Sequence, residues 1–385
     1  MVRLTHGCPT RRGVRLSPMT HPYRTAPDHS FWHRAVVEVD NVDPVVAPSF
    51  TIDRFSRVAT AGSCFAQHIA RYLQDVGIPR YTTEECHPEV GAYATDFHYH
   101  QYTARYGNVY TARQLYQLFL RAHGQFAPLE SAWPTERGFA DPFRPGIPEG
   151  FASRRELERD VAKHLAAVRR MFEELDVLIF TLGLTESWVS LLDGSVFPSC
   201  PGTIAGTFEP AKYRFHNFTM REVVDDLTSF IAALRSVNKR AKVLLTVSPV
   251  PLVATANGGH VLTATTYSKS VLRVAAEEVA AAHAEVDYFP SYEIIMGPQA
   301  RGRFFAQDLR TVTEEGVATV MNLFRRHYLG SMHSFRSPVP AAALSRPLPS
   351  PSAASPAGAP GDTEAARRQL ELICEEMAND DRARA

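Results

Sequence analysis

Four short apolar runs constrain the fold more strongly than any other feature of this 385-residue chain. Each run is strand-sized, is rich in β-branched or aromatic residues, and is separated from the next by helix-like patterns. The runs occupy residues 57–62, 176–183, 241–249 and 286–296. This alternation predicts an α/β protein, a three-layer α/β/α sandwich with a mainly parallel sheet, whose ligands bind beyond the carboxyl ends of the strands.

The chain divides by composition into four predicted regions. Residues 1–30 lack a periodic apolar pattern and predict a flexible N-terminal arm. One folded domain is expected over residues 31–330. Residues 331–362 are rich in Pro, Ala and Ser and predict a disordered linker, and residues 363–385 predict a short amphipathic helix and tail.

Charge and cysteine usage exclude several classes of protein. The 41 basic and 41 acidic side chains balance, so a nucleic-acid partner is not expected. The five cysteines are scattered without a CxxC pair, which favours reduced thiols over disulfides or a zinc site. No apolar run is long enough for a membrane span, and the N-terminus lacks the apolar core of a signal peptide. We therefore expect a cytoplasmic protein that needs no cofactor.

The junction between the first strand and the first helix carries the most suggestive hydroxyl. Ser63 follows the strand at residues 57–62, and a helix is predicted from Cys64 to Val76, ending at Gly77. A hydroxyl at this position lies near the positive end of the helix dipole. Two interpretations stay open for Ser63: a nucleophile, or a simple helix cap. Cys64 fits a small buried side chain.

The stretch around Ser63 carries a resemblance to a known family. Residues 62–66 read Gly-Ser-Cys-Phe-Ala, the motif for which the GSCFA family is named. Further agreement comes from "SFW" at 31–33, "GNVYTARQL" at 107–115, "LGLTESW" at 182–188, "SPVPL" at 248–252, "HVLTATTYSKSVLR" at 260–273 and "DLRTVTEEGV" at 308–317. The chain thus resembles GSCFA proteins over most of residues 31–330. That family looks like a branch of the SGNH/GDSL hydrolases, in which a serine after the first strand attacks an ester carbonyl.

The superfamily resemblance implies a nucleophile and an oxyanion site. Its Gly-Asp-Ser block corresponds to residues 61–63, which makes Ser63 the nucleophile. Its Gly-x-Asn-Asp block falls on residues 183–186, where Thr185 replaces the asparagine and Glu186 replaces the aspartate. Asn108 is a second oxyanion donor by this comparison, or else a turn residue. The residues implied around the oxyanion or substrate are Gly62, Cys64, Asn108, Gly183, Thr185 and Glu186.

The catalytic base departs from the superfamily pattern. The Asp-x-x-His block aligns with residues 308–311, where Thr311 stands in place of the histidine. His260, in the loop that leaves the third strand, is the candidate replacement base, with an exposed surface residue as its alternative. Asp308 could orient that base or bind substrate, and Glu186 offers a second carboxylate for either role.

Two further groups have an ordinary and a functional interpretation. Asp96, His98 and His100 recur at period two and would share one face of a strand, but polar surface residues explain them better than a metal site. Lys269 and Arg273 lie one helical turn apart and suit either an anionic substrate group or ordinary solvation.

These features together predict a serine esterase or O-acyltransferase of SGNH type. The expected partner is a small-molecule or glycan ester, an acylated carbohydrate or another polyhydroxylated compound. Ser63, His260 and Asp308 are the predicted catalytic residues. The alternative is a non-catalytic glycan-binding or partner-binding protein that retains the fold.

Overall fold

The computed structural model describes residues 21–37, 42–87, 91, 94, 97–147 and 150–329. The chain divides into two compact units, Met1–Asp43 and Pro44–Ala385. Of the first unit, the structure describes two 3₁₀ turns, Pro22–Arg24 and Asp28–Ser30, and a short helix α1, Trp32–Ala35.

The second unit contains nine strands and seven helices within its described residues. The strands are β1 (Val58–Gly62), β2 (Trp133–Thr135), β3 (Gly138–Ala140), β4 (Val177–Leu182), β5 (Glu186–Ser190), β6 (Val196–Phe197), β7 (Tyr213–Asn217), β8 (Lys242–Val247) and β9 (Val286–Tyr288). The helices are α2 (Cys64–Asp75), α3 (Ala112–Ala122), α4 (Arg154–Glu174), α5 (Met220–Val237), α6 (Val261–Ala282), α7 (Ser291–Met296) and α8 (Glu314–Tyr328).

The central sheet is parallel and has the strand order β1-β4-β8-β9. The four predicted apolar runs supply these four strands, which confirms the sequence interpretation. The last run was predicted to be extended through residue 296, and that boundary is wrong. Strand β9 ends at Tyr288, and α7 begins immediately after Pro290, since a proline fixes its own φ and suits a helix start. Tyr292 therefore lies in a helix.

Helices cover both faces of this sheet. Helices α3, α4, α5 and α6 pack in succession on one another, and α2, α7 and α8 form a second contacting group. The strands supply fully buried side chains to the core, as in β4, where all six residues are buried. A strand buried on both faces reads as a continuous apolar run, which is the pattern that the sequence displays. The predicted three-layer α/β/α sandwich is confirmed.

Two small antiparallel sheets are inserted into this framework. Strands β2 and β3 form a hairpin before α4, and β6-β5-β7 form a three-stranded sheet between β4 and α5. The sequence analysis did not predict either sheet. Their strands are two to five residues long and carry polar residues among the apolar ones, so they lack the signal of the central strands.

Helix α2 begins at Cys64 as predicted, with Val76 as its C-cap and Gly77 at a φ of +92°. Residues 1–20 of the predicted arm, the predicted linker, the predicted terminal helix and Asp96 lie outside the described residues. Within the described part of the chain, no helix has both the length and the apolar character needed to cross a membrane.

Candidate functional site

A pocket lies where three neighbouring strands of the central sheet end. Ser63 follows β1, Gly183 and Leu184 follow β4, and Ser248 follows β8, and all four residues line it. Its volume is about 910 Å³, a figure that includes the solvent at its mouth. The pocket therefore sits where parallel α/β proteins bind their ligands, beyond the carboxyl ends of the strands.

Gly62 places Ser63 at the edge of this pocket. Its φ is +142°, and a Cβ added there would lie 2.5 Å from the carbonyl oxygen of Thr181 on the adjacent strand β4. Only glycine fits this close approach. The Gly62 carbonyl accepts hydrogen bonds from the Val109 amide at 2.9 Å and from the Tyr102 hydroxyl at 3.2 Å. Gly62 itself is not among the lining residues, so it supports the backbone rather than contacting a ligand there.

The Ser63 hydroxyl is buried without a hydrogen-bond partner. Ser63 occupies the N-cap position of α2, yet its side chain makes no capping hydrogen bond, and its Oγ is enclosed and unpaired. Ser63 thus stands at the positive end of the α2 dipole, and the amide of Ala66 is bonded to the Ser63 carbonyl at 2.9 Å. The Ser63 hydroxyl is therefore not used as the helix cap that the sequence left as its alternative role. Cys64 is the first residue of α2, and its side chain lies outside what the structure describes.

Glu186 contributes a carboxylate to the same pocket. It is the first residue of β5, and its Oε1 accepts a hydrogen bond from the Thr255 hydroxyl at 2.6 Å and a longer one from Asn257 Nδ2 at 3.5 Å. Its Oε2 is buried and has no partner. Burial raises the pKa of the Glu186 carboxyl above its ordinary value, against the lowering effect of hydrogen bonds from Thr255 and the Ala256 amide.

The remaining walls are largely apolar. The β5-β6-β7 sheet supplies Trp188, Phe197 and Phe215, and the loop after β8 supplies residues 250–254. Trp188 and Phe215 contact each other edge to face, with ring centroids 5.9 Å apart. Cys200 also lines the pocket, and burial raises the pKa of its thiol to about 11, so this sulfur is a thiol at neutral pH.

Two side chains of helix α6 hydrogen-bond to the backbone of the segment between β4 and β5. The Ser268 hydroxyl accepts a hydrogen bond from the Thr185 amide at 3.0 Å, and Lys269 Nζ donates to the Gly183 carbonyl at 2.5 Å. Lys269 is fully buried, and burial together with the nearby Arg310 lowers its pKa to about 7. Ordinary solvation, one of the two interpretations offered for Lys269, is therefore wrong, because its ammonium is enclosed by the fold.

The second residue of that pair, Arg273, has carboxylate partners. Its guanidinium contacts Glu277 on the same helix and Glu293 on α7. These contacts hold α6 to α7, and Arg273 is not among the residues that line the pocket. Its role in the described structure is an ion pair between helices.

Two predicted oxyanion donors are occupied within the protein. The Thr185 hydroxyl donates to Asn217 Oδ1 at 2.6 Å and is fully buried. Asn108 Nδ2 donates to the Tyr110 hydroxyl at 3.1 Å, while its Oδ1 accepts from Tyr102. Neither Thr185 nor Asn108 lines the pocket with Ser63. The Gly183 amide, for its part, donates to the Tyr110 carbonyl at 3.0 Å.

The structure does not bring His260 and Asp308 to the pocket lining. His260 is exposed at the N-cap of α6, where its Nδ1 accepts a hydrogen bond from the Leu262 amide at 3.1 Å. Asp308 is exposed in a tight turn, where its carboxylate accepts from the amides of Arg310 and Thr311 and from the Thr311 hydroxyl. Among the residues described, no histidine lines the pocket. The roles predicted for His260 and Asp308 stay predictions.

The histidines at 98 and 100 do not share one strand face. Residues 97–100 form turns, and both histidines have positive φ values, 63° and 66°. His98 is buried, whereas His100 is exposed. In the described ranges no group of three or more His, Cys, Asp or Glu side chains is arranged to hold a metal ion.

Sequence reasoning missed two prominent residues of the pocket. Arg310 lines the pocket from the turn before α8. The sequence analysis gives roles to its neighbours Asp308 and Thr311 and none to Arg310. Trp188 was noted within "LGLTESW" without a role. The one available signal is that both residues lie within stretches that carry the family resemblance. Both are far from Ser63 in the sequence, and only the fold brings all three to the lining of one pocket.

The comparisons with known proteins bear on the family alone. No curated protein matches the chain. A model of the GSCFA family matches residues 57–324, a span that begins one residue before β1, includes every lining residue of the pocket and ends within α8. The chain belongs to the GSCFA family.

Proposed function

We propose that this protein is a serine esterase or O-acyltransferase of SGNH type that uses Ser63 as its nucleophile. The observation that carries the proposal is the buried, unpaired hydroxyl of Ser63, a residue that lines the pocket at the start of a helix. A hydroxyl of this kind is poised to attack a carbonyl carbon, and the neighbouring N–H groups would stabilise the developing oxyanion.

Glu186 is the proton acceptor that the pocket favours. It lines the pocket with Ser63, and its Oε2 is unpaired. In the proposed step, Ser63 Oγ attacks the ester carbonyl while its proton passes to the Glu186 carboxylate. The bond from the carbonyl carbon to the alkoxy oxygen breaks, and the alcohol leaves with that proton. Water or a second hydroxyl compound then takes the acyl group from Ser63 and regenerates the enzyme.

A carbohydrate portion of the substrate is supported by the aromatic wall. Trp188 and Phe215 are partly exposed and line the pocket beside one another. Flat aromatic faces in a pocket with a few polar groups suit the apolar face of a sugar ring, while hydroxyls such as Ser248 and Ser199 offer hydrogen bonds. We therefore propose an acylated carbohydrate or another polyhydroxylated ester as the substrate.

The test uses the full chain with a fluorophosphonate probe and a 4-nitrophenyl ester. Wild type should be labelled and should hydrolyse the ester, and Ser63→Ala should lose both properties. Ser195→Ala is a matched control that should keep both properties, because its Oγ is also buried and unpaired but Ser195 does not line the pocket. Cys64→Ala tests the neighbouring thiol. Labelling that survives in Ser63→Ala and is lost in Cys64→Ala would reverse the assignment.

A non-catalytic binding protein is the second candidate. The observation in its favour is that no described histidine lines the pocket, although SGNH enzymes use one as their base. Binding of a glycan to wild type and to Ser63→Ala with equal affinity, without turnover of any ester, would support this candidate over the enzyme.

A further inference from the structure

Arg310 is held at the pocket by a tightly closed turn. The turn is fastened by a hydrogen bond from the Ala306 amide to the Thr311 carbonyl at 2.9 Å and by a bridge between Phe305 and Val312. Within it, Asp308 Oδ1 accepts from the amides of Arg310 and Thr311, both at 2.9 Å. The backbone of Arg310 is thus fixed before any ligand arrives, and its side chain lines the pocket.

The Arg310 guanidinium has no carboxylate partner among the described residues. Its Nε is buried and lacks a hydrogen bond. The acid nearest in sequence, Asp308, is engaged by its own turn, including a hydrogen bond of 2.5 Å from the Thr311 hydroxyl. This arrangement contrasts with Arg105 and Arg144, whose buried guanidinium groups both contact carboxylates. Arg310 is partly buried, and its enclosed Nε–H lacks an acceptor, which is costly unless a ligand supplies one.

A second basic group, Lys269, is buried near enough to Arg310 to feel its charge, and its lowered pKa of about 7 leaves it only partly protonated at neutral pH. Lys269 is buried, its Nζ donates to the Gly183 carbonyl, and the charge of Arg310 acts on it. Neither group has a carboxylate within salt-bridge distance in the described structure. Glu186 does not neutralise them, because its carboxylate is held by Thr255 and no cation lowers its pKa. Arg310 is therefore the one cation among the described residues that line the pocket, and the pKa of the nearby Asp308 is lowered first by its hydrogen bonds from Thr311 and the Arg310 amide and then by the charge of Arg310.

We propose that the pocket binds a ligand bearing a carboxylate, which pairs with Arg310 while the rest of the ligand packs against Trp188 and Leu252. This inference rests on the proposed function, and with it the substrate of Ser63 is an acidic ester, such as an ester of a sugar acid or a half-ester of a dicarboxylic acid. A planar guanidinium matches the two oxygens of a carboxylate, which gives such a pair both strength and orientation.

Binding to the full-length Ser63→Ala protein tests the proposal without any need for turnover. The probes are phenylacetate and phenylacetamide, which have nearly the same shape and differ in charge, and the measurement is isothermal titration calorimetry. Phenylacetate should bind about 10- to 100-fold more tightly, the usual value of a charge-assisted hydrogen bond. Arg310→Met should abolish this preference, and Arg310→Lys should restore part of it.

Arg301→Met is the matched control, since Arg301 is an exposed arginine of the preceding loop that does not line the pocket. It should leave the preference unchanged. Equal affinity for the two probes, no binding of phenylacetate at millimolar concentrations, or a preference that survives Arg310→Met would each overturn the proposal. Tighter binding of phenyl phosphate than of phenylacetate would overturn the choice of a carboxylate.

A second arm separates this inference from the proposed function. Wild type is compared on 4-nitrophenyl hemisuccinate and 4-nitrophenyl butyrate, which carry the same leaving group. Hydrolysis without a preference for the hemisuccinate contradicts the carboxylate site and leaves the esterase standing. A carboxylate preference in calorimetry without hydrolysis of either ester contradicts the esterase and leaves the carboxylate site standing.

Discussion

Two buried polar regions of this protein differ in how their groups are paired. One is an ionic cluster around Arg105 and Arg144, and the other is the pocket that contains Ser63, Glu186 and Arg310. In the ionic cluster, Arg105 Nε contacts Glu84 at 2.8 Å, and both arginines contact the carboxylate of Asp160. In the pocket, each of its three named residues has a buried polar atom without a partner.

Under the proposed function, this difference separates a structural role from a ligand-binding role. Buried charges that are paired and hydrogen-bonded fix one arrangement of the chain, and removing one partner leaves the other exposed to a low dielectric. Buried polar atoms without partners lower the stability of the folded protein and call for an explanation such as a functional role or an ordered water. The hydrogen-bonding groups of the ionic cluster mostly have partners, with Arg144 Nη1 as one exception. The pocket leaves its polar atoms available.

The largest effect is expected from Arg105→Met, which attacks the ionic cluster. Its side chain is 3% exposed, and its loss would leave Glu84 and Asp160 short of a counterion. The free energy of unfolding should fall by about 3–5 kcal/mol, as for other broken buried pairs. Urea denaturation measures it. Arg169→Met, which breaks an exposed pair with Glu173, should change stability by less than about 1 kcal/mol. Equal losses in both variants would contradict a structural role for the cluster.

Glu186→Gln should reduce ester turnover and leave stability unchanged, whereas Arg105→Met should reduce stability. The carboxamide keeps the shape of the side chain and cannot accept a proton from Ser63, so ester turnover should fall about 100-fold or more. Stability should stay unchanged or rise slightly, because burial already disfavours the Glu186 carboxylate. The pair of measurements is kcat on a 4-nitrophenyl ester and urea denaturation. A variant that loses stability and keeps its turnover would place Glu186 with the structural cluster.

Lys269→Met tests a residue that combines features of both regions. Lys269 is buried like the arginines of the ionic cluster, and like Arg310 it has no carboxylate partner among the described residues. Its pKa is lowered from 10.5 to about 7, so the unfolded state binds more protons between these values. This group therefore destabilises the folded protein fully below pH 7, and the penalty is relieved as the pH rises from about 7 towards 10.5.

The measurable consequence is a rise of the unfolding free energy with pH, which wild type should show and Lys269→Met should lack. Wild type should gain up to about 1.4 kcal/mol of unfolding free energy per pH unit from this group between pH 7 and 10.5. Lys269→Met should lose that contribution and lose the hydrogen bond to the Gly183 carbonyl. Denaturation at several pH values compares the two proteins. Parallel stability curves would mean that Lys269 keeps an ordinary pKa in the folded state.

The smallest effect is expected from His260→Asn. Asparagine is a good N-cap and can replace the bond that His260 Nδ1 accepts from the Leu262 amide, so stability should change by less than about 0.5 kcal/mol. Turnover should stay within about twofold, since the imidazole is exposed and does not line the pocket. A loss of about 10²–10⁴-fold at unchanged stability would instead establish His260 as the base.

The sequence alone determined the framework of the protein and the position of its central serine. Apolar runs of strand length separated by helical patterns allow few folds besides a parallel α/β sheet. Ser63 is the residue between the first strand and the first helix in the sequence, so its position at the end of that strand follows directly. Local spacing is enough for such predictions. The small β5-β6-β7 sheet gave no comparable signal, because its strands are short and carry polar residues among the apolar ones.

Only the tertiary structure decided which polar groups share the pocket. Glu186 and Arg310 are far apart in sequence and meet through the alignment of strand ends and a turn before α8. The superfamily resemblance implies Thr185 and Asn108 as oxyanion donors, with a turn residue as the alternative for Asn108, but their hydrogen bonds are taken by Asn217 and Tyr110. Whether a polar side chain is available to a ligand depends on every neighbour that could satisfy it, and those neighbours are brought together by the fold.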